Sequence, residues 1–528
     1  MHINRTHKRI GEKVHTSVLL RESIREGDRV TKRTLANLTH WEPERIAALE
    51  AALKGESAVD LRNLELGETR CFGAIFVFLQ LSKRLGLTKA LGKKRNGLLA
   101  LMMAAMRPIK AQSKLAMVTF VRNQAVKELL GIDRFDENDL YGALDWLEAN
   151  QADIEVELFR HRQAECSTLF LYDTTSSYLE GDQNELATYG YNRDKKKGKK
   201  QIVIGLLMDE MGYPVTVEVF KGNTKDEKTV SNQLKKLAER FGVKRICMIG
   251  DRGMLKSAQV DEIQELQWNY ITAITKPQIE SLIKEGTLQL NLFDVKICEA
   301  EYGKRRLILR RNPFQQEKSQ IGRKQRIEKV IEAGKKKAMS LKKNKRVSAK
   351  KSYDSVIVMV HRYCLTDVIK VGLKGRQLTV EVDQSALAQA ERLDGCYAII
   401  TDLPKEEFSA EVIHQRYKDL KFVEDAFRTL KTTLLEVRPL WHRRADRTRA
   451  HVFLCMLSLL LTIELRKGIE KLECTREEAI AALNCITVAD VHIGRERIQK
   501  LPQHLRDDQK AILKALQLDW PKVVQRVA

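Results

Sequence analysis

The sequence has no paired cysteines, no long apolar run and few prolines. Its nine cysteines are scattered singly, without a Cys-x-x-Cys pair, which argues against a zinc ribbon or a disulfide scaffold and is typical of a reducing compartment. The N-terminus, MHINRTHKRIGEK, is polar and basic and contains no signal-peptide apolar core. The longest apolar run, Val452 to Ile463, is too short to span a bilayer and predicts a buried helix. We therefore expect a cytoplasmic protein with no membrane partner.

Several common catalytic motifs are also absent. No Walker A loop, dinucleotide-binding glycine pattern or Ser-His-Asp arrangement is apparent, and the Gly-Lys stretch at 198–201 lacks the P-loop spacing. The chain does contain an excess of positive charge: 93 Lys and Arg stand against 70 Asp and Glu, a net charge of +23. Such an excess favours a polyanionic partner, because each neutralised phosphate releases condensed counterions. A basic enzyme without such a partner is the alternative interpretation.

The N-terminal third predicts a small segment followed by helices. A chain of 528 residues, 43% of them hydrophobic, is long enough for two to four globular domains. Residues 1–70 form a polar segment with a strand-like patch at 17–23 and a helical stretch at 31–37. Residues 71–165 have apolar positions at helical spacing and predict an all-helical domain, which is a candidate for binding DNA ends.

At residue 168 the pattern changes to strands alternating with helices. Strands are predicted at 168–173, 201–208, 214–220, 244–251 and 269–274, and helices at 226–241 and 255–266. The second and third strands read as a hairpin. This order is that of the ribonuclease H-like fold without its last helix. We therefore expect an α/β protein whose catalytic core has a mixed five-stranded sheet, with the first part of that core at 166–276.

The remaining chain predicts an insertion and the end of the core. Residues 277–403 read as a mostly β insertion domain, with strands at 304–311, 355–360 and 395–403 and a very basic helix. Lys304 to Lys351 contains 19 Lys and Arg against 3 Asp and Glu, which suits a phosphate-facing surface or, alternatively, a solvated linker. Residues 404–470 would complete the core with one long helix at 406–434, and 471–528 would form a helical C-terminal region.

Two aspartates end predicted strands of this core. Asp173 ends the first strand and Asp251 ends the fourth, and in the ribonuclease H-like sheet these two strands are adjacent and parallel. Two carboxylates emerging at one edge repel each other, but two Mg²⁺ ions, with Mn²⁺ as a substitute, would hold both ionised. The alternative is that each aspartate is an ordinary turn or N-cap residue.

A third carboxylate is available on the long helix. Tyr417, Glu424 and Lys431 are spaced by seven residues, and Leu420 lies four before Glu424, so all four would share one helix face. A stripe made of an aromatic residue, a carboxylate and a lysine fits a helix laid against a DNA backbone. A surface charge without function is the alternative interpretation of Glu424.

These residues resemble the DDE transposases of bacterial and archaeal insertion sequences, most closely the insertion-sequence-4-like superfamily. The matching segments are LYDTTSSYLEG at 171–181, the GNTKD-containing stretch at 204–230, IGDRGM at 249–254, YKDLKFVEDAFRTLKT at 417–432 and the stretch at 437–461. The family signature is Tyr, two residues, Arg, three residues, Glu, six residues, Lys. Tyr417, Glu424 and Lys431 match it, and Leu420 stands at the Arg position.

The resemblance implies a cut-and-paste transposase that acts on double-stranded DNA. Such an enzyme binds the terminal inverted repeats of its element as a homodimer, cleaves them, and joins the 3′-hydroxyls to target DNA in the nucleoid. Asp173, Asp251 and Glu424 are implied as catalytic residues and metal ligands. The implied DNA contacts are Tyr417, Lys431, Arg428, Arg252 and Lys421.

Some residues near these motifs keep two interpretations. For Arg252, the two interpretations are a phosphate contact and a salt bridge within the protein. Asn223, Thr224 and Asp226 follow the third strand, where they orient metal-bound water or cap the next helix, and we favour the cap. For the whole chain, the alternatives are a ribonuclease H-like nuclease that joins no strands and a non-catalytic DNA-binding protein derived from a transposase.

Overall fold

The computed structural model divides the chain into two compact units. Unit 1 comprises Met1–Gln80, Ser113–Glu137 and Leu465–Ala528, and unit 2 comprises Leu81–Gln112 and Asn138–Glu464. The domain boundaries expected from the sequence stay a prediction. The residues that the structure describes are 1–10, 13–27, 29–55, 64–162, 168–191, 193–194, 196–295, 297–432, 435–438, 440–493 and 496–524.

The chain begins with an antiparallel sheet of three strands and one helix. These elements are β1 His2–Ile10, β2 Lys13–Glu26, β3 Arg29–Asn37 and α1 Pro43–Leu53, and β4 Leu64–Cys71 follows. The strand predicted at 17–23 is confirmed within β2. The helical stretch predicted at 31–37 is wrong, because these residues pair with β2 as part of β3. Val30, Thr31 and Thr34 are β-branched, which favours the strand over a helix.

Residues 73–161 are helical, as their apolar spacing predicts. The helices are α2 Gly73–Arg84, α3 Leu87–Leu91, α4 Arg95–Met106, α5 Lys114–Val121, α6 Val126–Leu130, α7 Glu137–Ala149 and α8 Gln151–His161. In α4, every residue from Leu99 to Met106 is fully buried. A helix that is apolar all round in this way belongs to a protein core.

The alternation predicted from residue 168 is confirmed. The elements are β5 Leu169–Tyr178, β6 Gln201–Asp209, β7 Pro214–Lys221, α9 Glu227–Lys235 with a π-helical turn at Lys236–Arg240, β8 Cys247–Ile249, α10 Ser257–Glu265 and β9 Asn269–Ala273. β6 and β7 form the predicted antiparallel hairpin. β5 pairs antiparallel with β6 and parallel with β8, and β8 pairs parallel with β9.

The stretch from residue 276 to 401 differs from the expected mostly β domain. It contains α11 Lys276–Lys284, a 3₁₀ turn at Leu290–Asp294, β10 Cys298–Tyr302, β11 Arg305–Arg311, α12 Pro313–Lys343, α13 Ala349–Arg362, β12 Ile369–Lys374, β13 Gln377–Val382, α14 Gln384–Arg392 and β14 Cys396–Thr401. β14 pairs with β9, and β11 and β10 follow outward. The expected five-stranded sheet is therefore eight-stranded in the described residues, in the order β10-β11-β14-β9-β8-β5-β6-β7.

The segment 355–360 is a helix and not the predicted strand. It lies within α13, where Val356 and Val360 are buried and Val358 is 64% exposed. Buried positions four residues apart form one face of a helix, whereas a strand would turn all three valines to the same side. The Ser348 hydroxyl accepts from the Lys351 amide and caps the start of this helix. The hydrophobic period therefore outweighs the β-propensity of valine here.

The predicted long helix at 406–434 is two helices, α15 Ala410–Lys418 and α16 Lys421–Lys431. Between them, the Leu420 amide donates to the Tyr417 carbonyl at 3.3 Å and the Phe422 amide donates to the Asp419 carbonyl at 2.8 Å. These three-residue hydrogen bonds tighten the turn and separate the two helices. The chain ends with α17 Ala445–Gly468, α18 Arg476–Asn484, β15 Thr487–Ile493, β16 Glu496–Lys500 and α19 Asp507–Ala515.

The apolar helix predicted around 452–463 lies within α17. By length and composition α17 is long and apolar enough to cross a membrane, but 89% of its apolar window is buried inside the protein. The Ser458 hydroxyl also donates to the Ala104 carbonyl of α4 at 3.0 Å. These features are those of a core helix, as the sequence predicted.

If 355–360 is a helix, alanine substitutions at Val360 and Val358 should change the free energy of unfolding by different amounts. Val360→Ala should lower the free energy of unfolding by about 1–2 kcal/mol, because it opens a cavity in the cluster around Val330 and Leu341. The same change at Val358 should leave the stability within about 0.5 kcal/mol, because that side chain is exposed. Denaturant unfolding of both variants measures the difference. Equal losses at the two positions would contradict the helix.

Candidate active site

The pairing of β5 with β8 places two aspartates at matching positions. The parallel register ends at Leu171 opposite Ile249. Asp173 and Asp251 each lie two residues beyond that pair, so both lie past the carboxyl end of the parallel pairing. The prediction that the first strand ends at Asp173 is wrong, because β5 continues along β6 to Tyr178. Side chains alternate between the faces of a strand. Tyr172 packs in the core with α9 and α10, so Asp173 lies on the opposite face, against which α16 packs.

The Asp173 carboxylate is half-buried and next to other negative charges. Its Oδ1 accepts from the Thr174 amide at 2.7 Å. Burial, together with the nearby Asp251 and Asp226 carboxylates, raises the pKa of Asp173 to about 7, although the Thr174 amide and Arg193 oppose the shift. Asp173 is therefore a carboxyl group whose ionised form needs a nearby positive charge.

A tight turn fixes the second aspartate. The Asp251 side chain is exposed, and its Oδ1 accepts from the amides of Gly253 at 2.8 Å and Met254 at 2.9 Å. The turn belongs to the DRGM segment directly after β8. Because the carboxylate is held by its own backbone, it stays at the sheet edge without a side-chain partner in the described residues.

Asp226 is a further carboxylate near Asp173, and the sequence favoured a helix-capping role for it. The Asp226 side chain makes no capping bond to α9. It accepts instead from the Thr174 hydroxyl at 2.6 Å and from the Arg193 guanidinium at 2.5 Å. The helix-cap interpretation of its side chain is therefore wrong. The GNTKD segment contained the signal, but the partner Arg193 lies 33 residues earlier and no local pattern connects the two.

Glu424 lies on the exposed face of α16. Val423, Ala426, Phe427, Thr429 and Leu430 are buried, and the helix packs against β5 and β6. The exposed face carries Lys421, Glu424 and Arg428, which are three and four residues apart. Arg428 also forms an ion pair with Asp425 at 2.9 Å. Glu424 therefore sits between two surface cations on one side of the helix.

Tyr417, near the end of α15, lies close enough to the second aspartate and the glutamate for both carboxylates to affect its pKa. Burial, together with the Asp251 and Glu424 carboxylates, raises the pKa of its phenol to about 12, although Arg252 opposes the shift. These influences place Asp251, Arg252 and Glu424 around one tyrosine. Arg252 itself is exposed, so its guanidinium is available to an anion.

The residues fit a divalent metal by chemistry, although they form no closed site. Among the described residues, no three His, Cys, Asp or Glu side chains are grouped closely enough to hold a metal ion. The structure does bring Asp173 close enough to Asp251 and Asp226 for these carboxylates to raise its pKa. Carboxylate oxygens are the ligands that Mg²⁺ prefers, and a cation there would relieve their repulsion.

Lys431 is engaged inside the protein. Its ammonium group donates to the Ser176 carbonyl of β5 at 2.6 Å and to the Asp194 carboxylate at 3.0 Å. Arg438 forms a second ion pair with Asp194, and the Tyr178 amide donates to the same carboxylate at 3.2 Å. Burial lowers the pKa of Lys431, and Asp194 opposes that shift. The sequence placed Lys431 on a DNA phosphate, but the structure places it on this buried carboxylate.

A cavity of about 510 Å³ is lined by Asp226 and by the neighbours of the other two aspartates, Thr175 and Gly253 among them. Three cations, Arg193, Lys225 and Lys256, line it, and Lys256 forms an ion pair with Glu227. Gly253, whose amide holds Asp251, also lines it. The full lining is Thr175, Ser176, Gly190, Tyr191, Arg193, Gln201, Val203, Gly222, Asn223, Thr224, Lys225, Asp226, Glu227, Gly253 and Lys256.

Two family models match this chain. The model described as "Transposase DDE domain" matches residues 164–461, more than half of the chain, and the model "IS1634 family transposase, N-terminal domain" matches residues 3–62. Among solved structures, the chain is similar to one from the cryo-EM structure of the piggyBac transposase synaptic complex with hairpin DNA. That likeness has 7% identity and a TM-score of 0.34, and it covers 78% of this chain and 70% of that chain. No curated protein matches.

We expect Asp194 to hold α16 against β5. Asp194→Asn should lower the free energy of unfolding by about 3 kcal/mol, because it leaves Lys431 and Arg438 without their shared carboxylate. The same change at Asp182, which is 90% exposed in the same connection, should cost less than about 0.5 kcal/mol. Chemical denaturation of both variants tests this. An Asp194→Asn protein as stable as the parent would show that the ion pairs do not hold the helix.

Proposed function

The chain belongs to the DDE transposases of insertion sequences, because the transposase DDE model covers more than half of it, and we propose that it moves its own element by cut-and-paste transposition. It would bind the terminal inverted repeats as a homodimer, cleave the strands and join the free 3′-hydroxyls to target DNA. Phosphodiester exchange conserves bond energy, so no ATP is required. The net charge of +23 supports a DNA partner.

The register of β5 with β8 is the observation that carries this proposal. It supports Asp173 and Asp251 as the first two catalytic carboxylates, since both lie two residues beyond the last parallel pair. The strand order β7-β6-β5-β8-β9, in which β6 runs opposite to the other four strands, supports a ribonuclease H-like core. The exposed Glu424, which shares the surroundings of Tyr417 with Asp251, supports the third carboxylate.

We propose that Asp173, Asp251 and Glu424 hold Mg²⁺, or Mn²⁺ in its place, and that the bound ions supply charge neutralisation and an activated oxygen nucleophile. The turn at Gly253 and Met254 keeps the Asp251 carboxylate at the sheet edge. The phenol of Tyr417 stays protonated at neutral pH and can donate a hydrogen bond to a phosphate oxygen.

The DNA-binding residues proposed from the sequence divide into two groups. Lys421 and Arg428 flank Glu424 on the exposed face of α16, and Arg252 is exposed beside Tyr417. These three cations suit contacts with phosphates close to the carboxylates. Lys431 acts instead through Asp194, by fixing the helix that carries Glu424 to the strand that carries Asp173.

Loss of any one carboxylate should stop cleavage and leave binding intact. Asp173→Asn, Asp251→Asn and Glu424→Gln should each slow Mg²⁺-dependent cleavage of an end-containing duplex by about a thousandfold or more, a barrier increase of about 4 kcal/mol. DNA affinity measured without metal should stay close to that of the parent. Glu411→Gln, the same change at an exposed position of α15, is the matched control and should cleave normally.

The outcomes separate the candidate functions. Full cleavage by one variant removes that residue from the catalytic set. Cleavage by the parent without joining of a pre-cleaved end to target DNA indicates a nuclease that joins no strands. Absence of metal-dependent nicking of supercoiled DNA by the parent indicates a non-catalytic DNA-binding protein.

A further inference from the structure

The N-terminal sheet is three-stranded over only a short central part. β2 pairs with β1 through its residues 13–21 and with β3 through its residues 19–26. Only Leu19, Leu20 and Arg21 therefore have a neighbour on both sides. Beyond this centre, two ribbons of two strands leave in opposite directions. The first arm consists of residues 5–10 and 13–18, and the second arm consists of residues 22–26 and 29–33.

The hydrophobic core of this sheet supports the centre and reaches the first arm only at its base, at Val18. Val18, Leu38 and Ile46 are buried together, and Ile3, Leu20, Ala36 and Leu49 pack around them. Consecutive residues at 5–9 and 15–17 of the first arm are exposed, as are 23–25 and 29–33 of the second. Since consecutive residues of a strand face opposite sides, both faces of each arm are open in the described residues. A two-stranded ribbon without a packed face is only marginally stable in water, which points to a partner.

The arms carry the chemistry of a polyanion-binding surface. Residues 1–37 contain nine Lys and Arg against four Asp and Glu. On the first arm Lys8 and Arg9 are exposed with His7 and His15, and Arg5 pairs with Glu50 of α1. On the second arm Arg25, Arg29, Lys32 and Arg33 are exposed. The second arm also exposes Ile24 and Val30, but the side chains that the structure describes form no continuous apolar face for a protein partner on either arm.

We propose that the two arms are DNA-binding arms that grip one duplex at positions about one helical turn apart. A two-stranded ribbon fits the major groove of B-DNA, where the arm cations reach phosphates and base edges. The ten residues from His15 to Arg25 along β2 span roughly 33 Å at the usual rise of about 3.3 Å per residue. That span is close to the helical repeat of about 34 Å. This inference rests on the proposed function, and it assigns duplex recognition to the segment that precedes the DDE domain.

The salt dependence of binding tests the arms in the full-length protein. The probe is a 40-base-pair duplex containing one end of the element, titrated without divalent metal at a series of salt concentrations. The slope of log K against log salt is negative. Lys8→Ala/Arg9→Ala and Arg25→Ala/Arg29→Ala should each make it shallower by up to about 1.8, since each lost phosphate contact removes about 0.9 from its magnitude. The matched control is Arg45→Ala/Lys54→Ala, which removes the same charge from exposed positions of α1 and its C-cap, and its slope should stay unchanged.

Hydroxyl-radical footprinting tests the spacing. The parent should protect two patches about 10 base pairs apart, and each arm variant should lose one of them. Thermal unfolding of every variant checks the fold, and an arm variant that unfolds early is replaced by Lys8→Gln/Arg9→Gln or Arg25→Gln/Arg29→Gln.

Three results would overturn the proposal. They are slopes equal to that of the parent in both arm variants, an equal loss in the α1 control, and binding of anionic phospholipid vesicles in place of duplex DNA. Metal-dependent nicking of supercoiled DNA by the parent is scored separately. Nicking with unchanged arm slopes rejects the arms and keeps the transposase function, whereas arm-dependent binding without nicking does the reverse.

Discussion

Parallel pairing of β5 with β8 brings two carboxylates to one edge of the sheet, and the surroundings of the site are arranged around the repulsion that this creates. Burial of Asp173 and electrostatic repulsion from Asp251 and Asp226 together raise its pKa to about 7. The sheet tolerates this charge because its strands are buried on both sides: every residue of β6 is buried, as are Phe170 to Tyr172 of β5. The apolar packing thus holds a carboxylate arrangement that electrostatics alone would disperse.

The connection between β5 and β6 contains two neighbouring residues of opposite charge, Arg193 and Asp194, that contact the surroundings of the carboxylates. Arg193 donates to Asp226 and to the Thr174 hydroxyl and carbonyl oxygens, next to Asp173. The next residue, Asp194, forms ion pairs with Lys431 of α16 and with Arg438. One dipeptide therefore ties together the strand with the first aspartate, the start of α9 and the helix that carries Glu424. A shift of this connection would move the carboxylates relative to one another.

The sequence predicts the parts of this arrangement that depend on local pattern. The strand order from β5 to β9 follows from alternating apolar runs, and the adjacency of Asp173 and Asp251 follows from that order. The prediction of a strand at 355–360 is wrong. It relied on the preference of valine for strands, whereas the burial of Val356 and Val360, four residues apart, requires a helix. The break at Leu420 was equally hidden, since both halves have helical composition and only the shortened hydrogen bonds of the turn separate them. The roles of Arg193 and Asp194 depend on contacts across 33 and 237 residues, which no local spacing reveals.

The same distinction governs how the positive charge should be read. A net charge of +23 predicts a polyanionic partner, but it does not say which cations are available. Lys431 is 13% exposed and bound to Asp194, and Arg323 is 11% exposed and bound to Asp394 at 2.6 Å. Such buried pairs would lose their carboxylate partner before they could meet a phosphate, at a cost of several kcal/mol. Exposed cations, such as Lys421 beside Glu424 and Lys8 on the first arm, do not carry that cost. They can neutralise phosphates and so release counterions from DNA. Affinity for DNA therefore depends on where the charges lie, and the total sets only its upper limit.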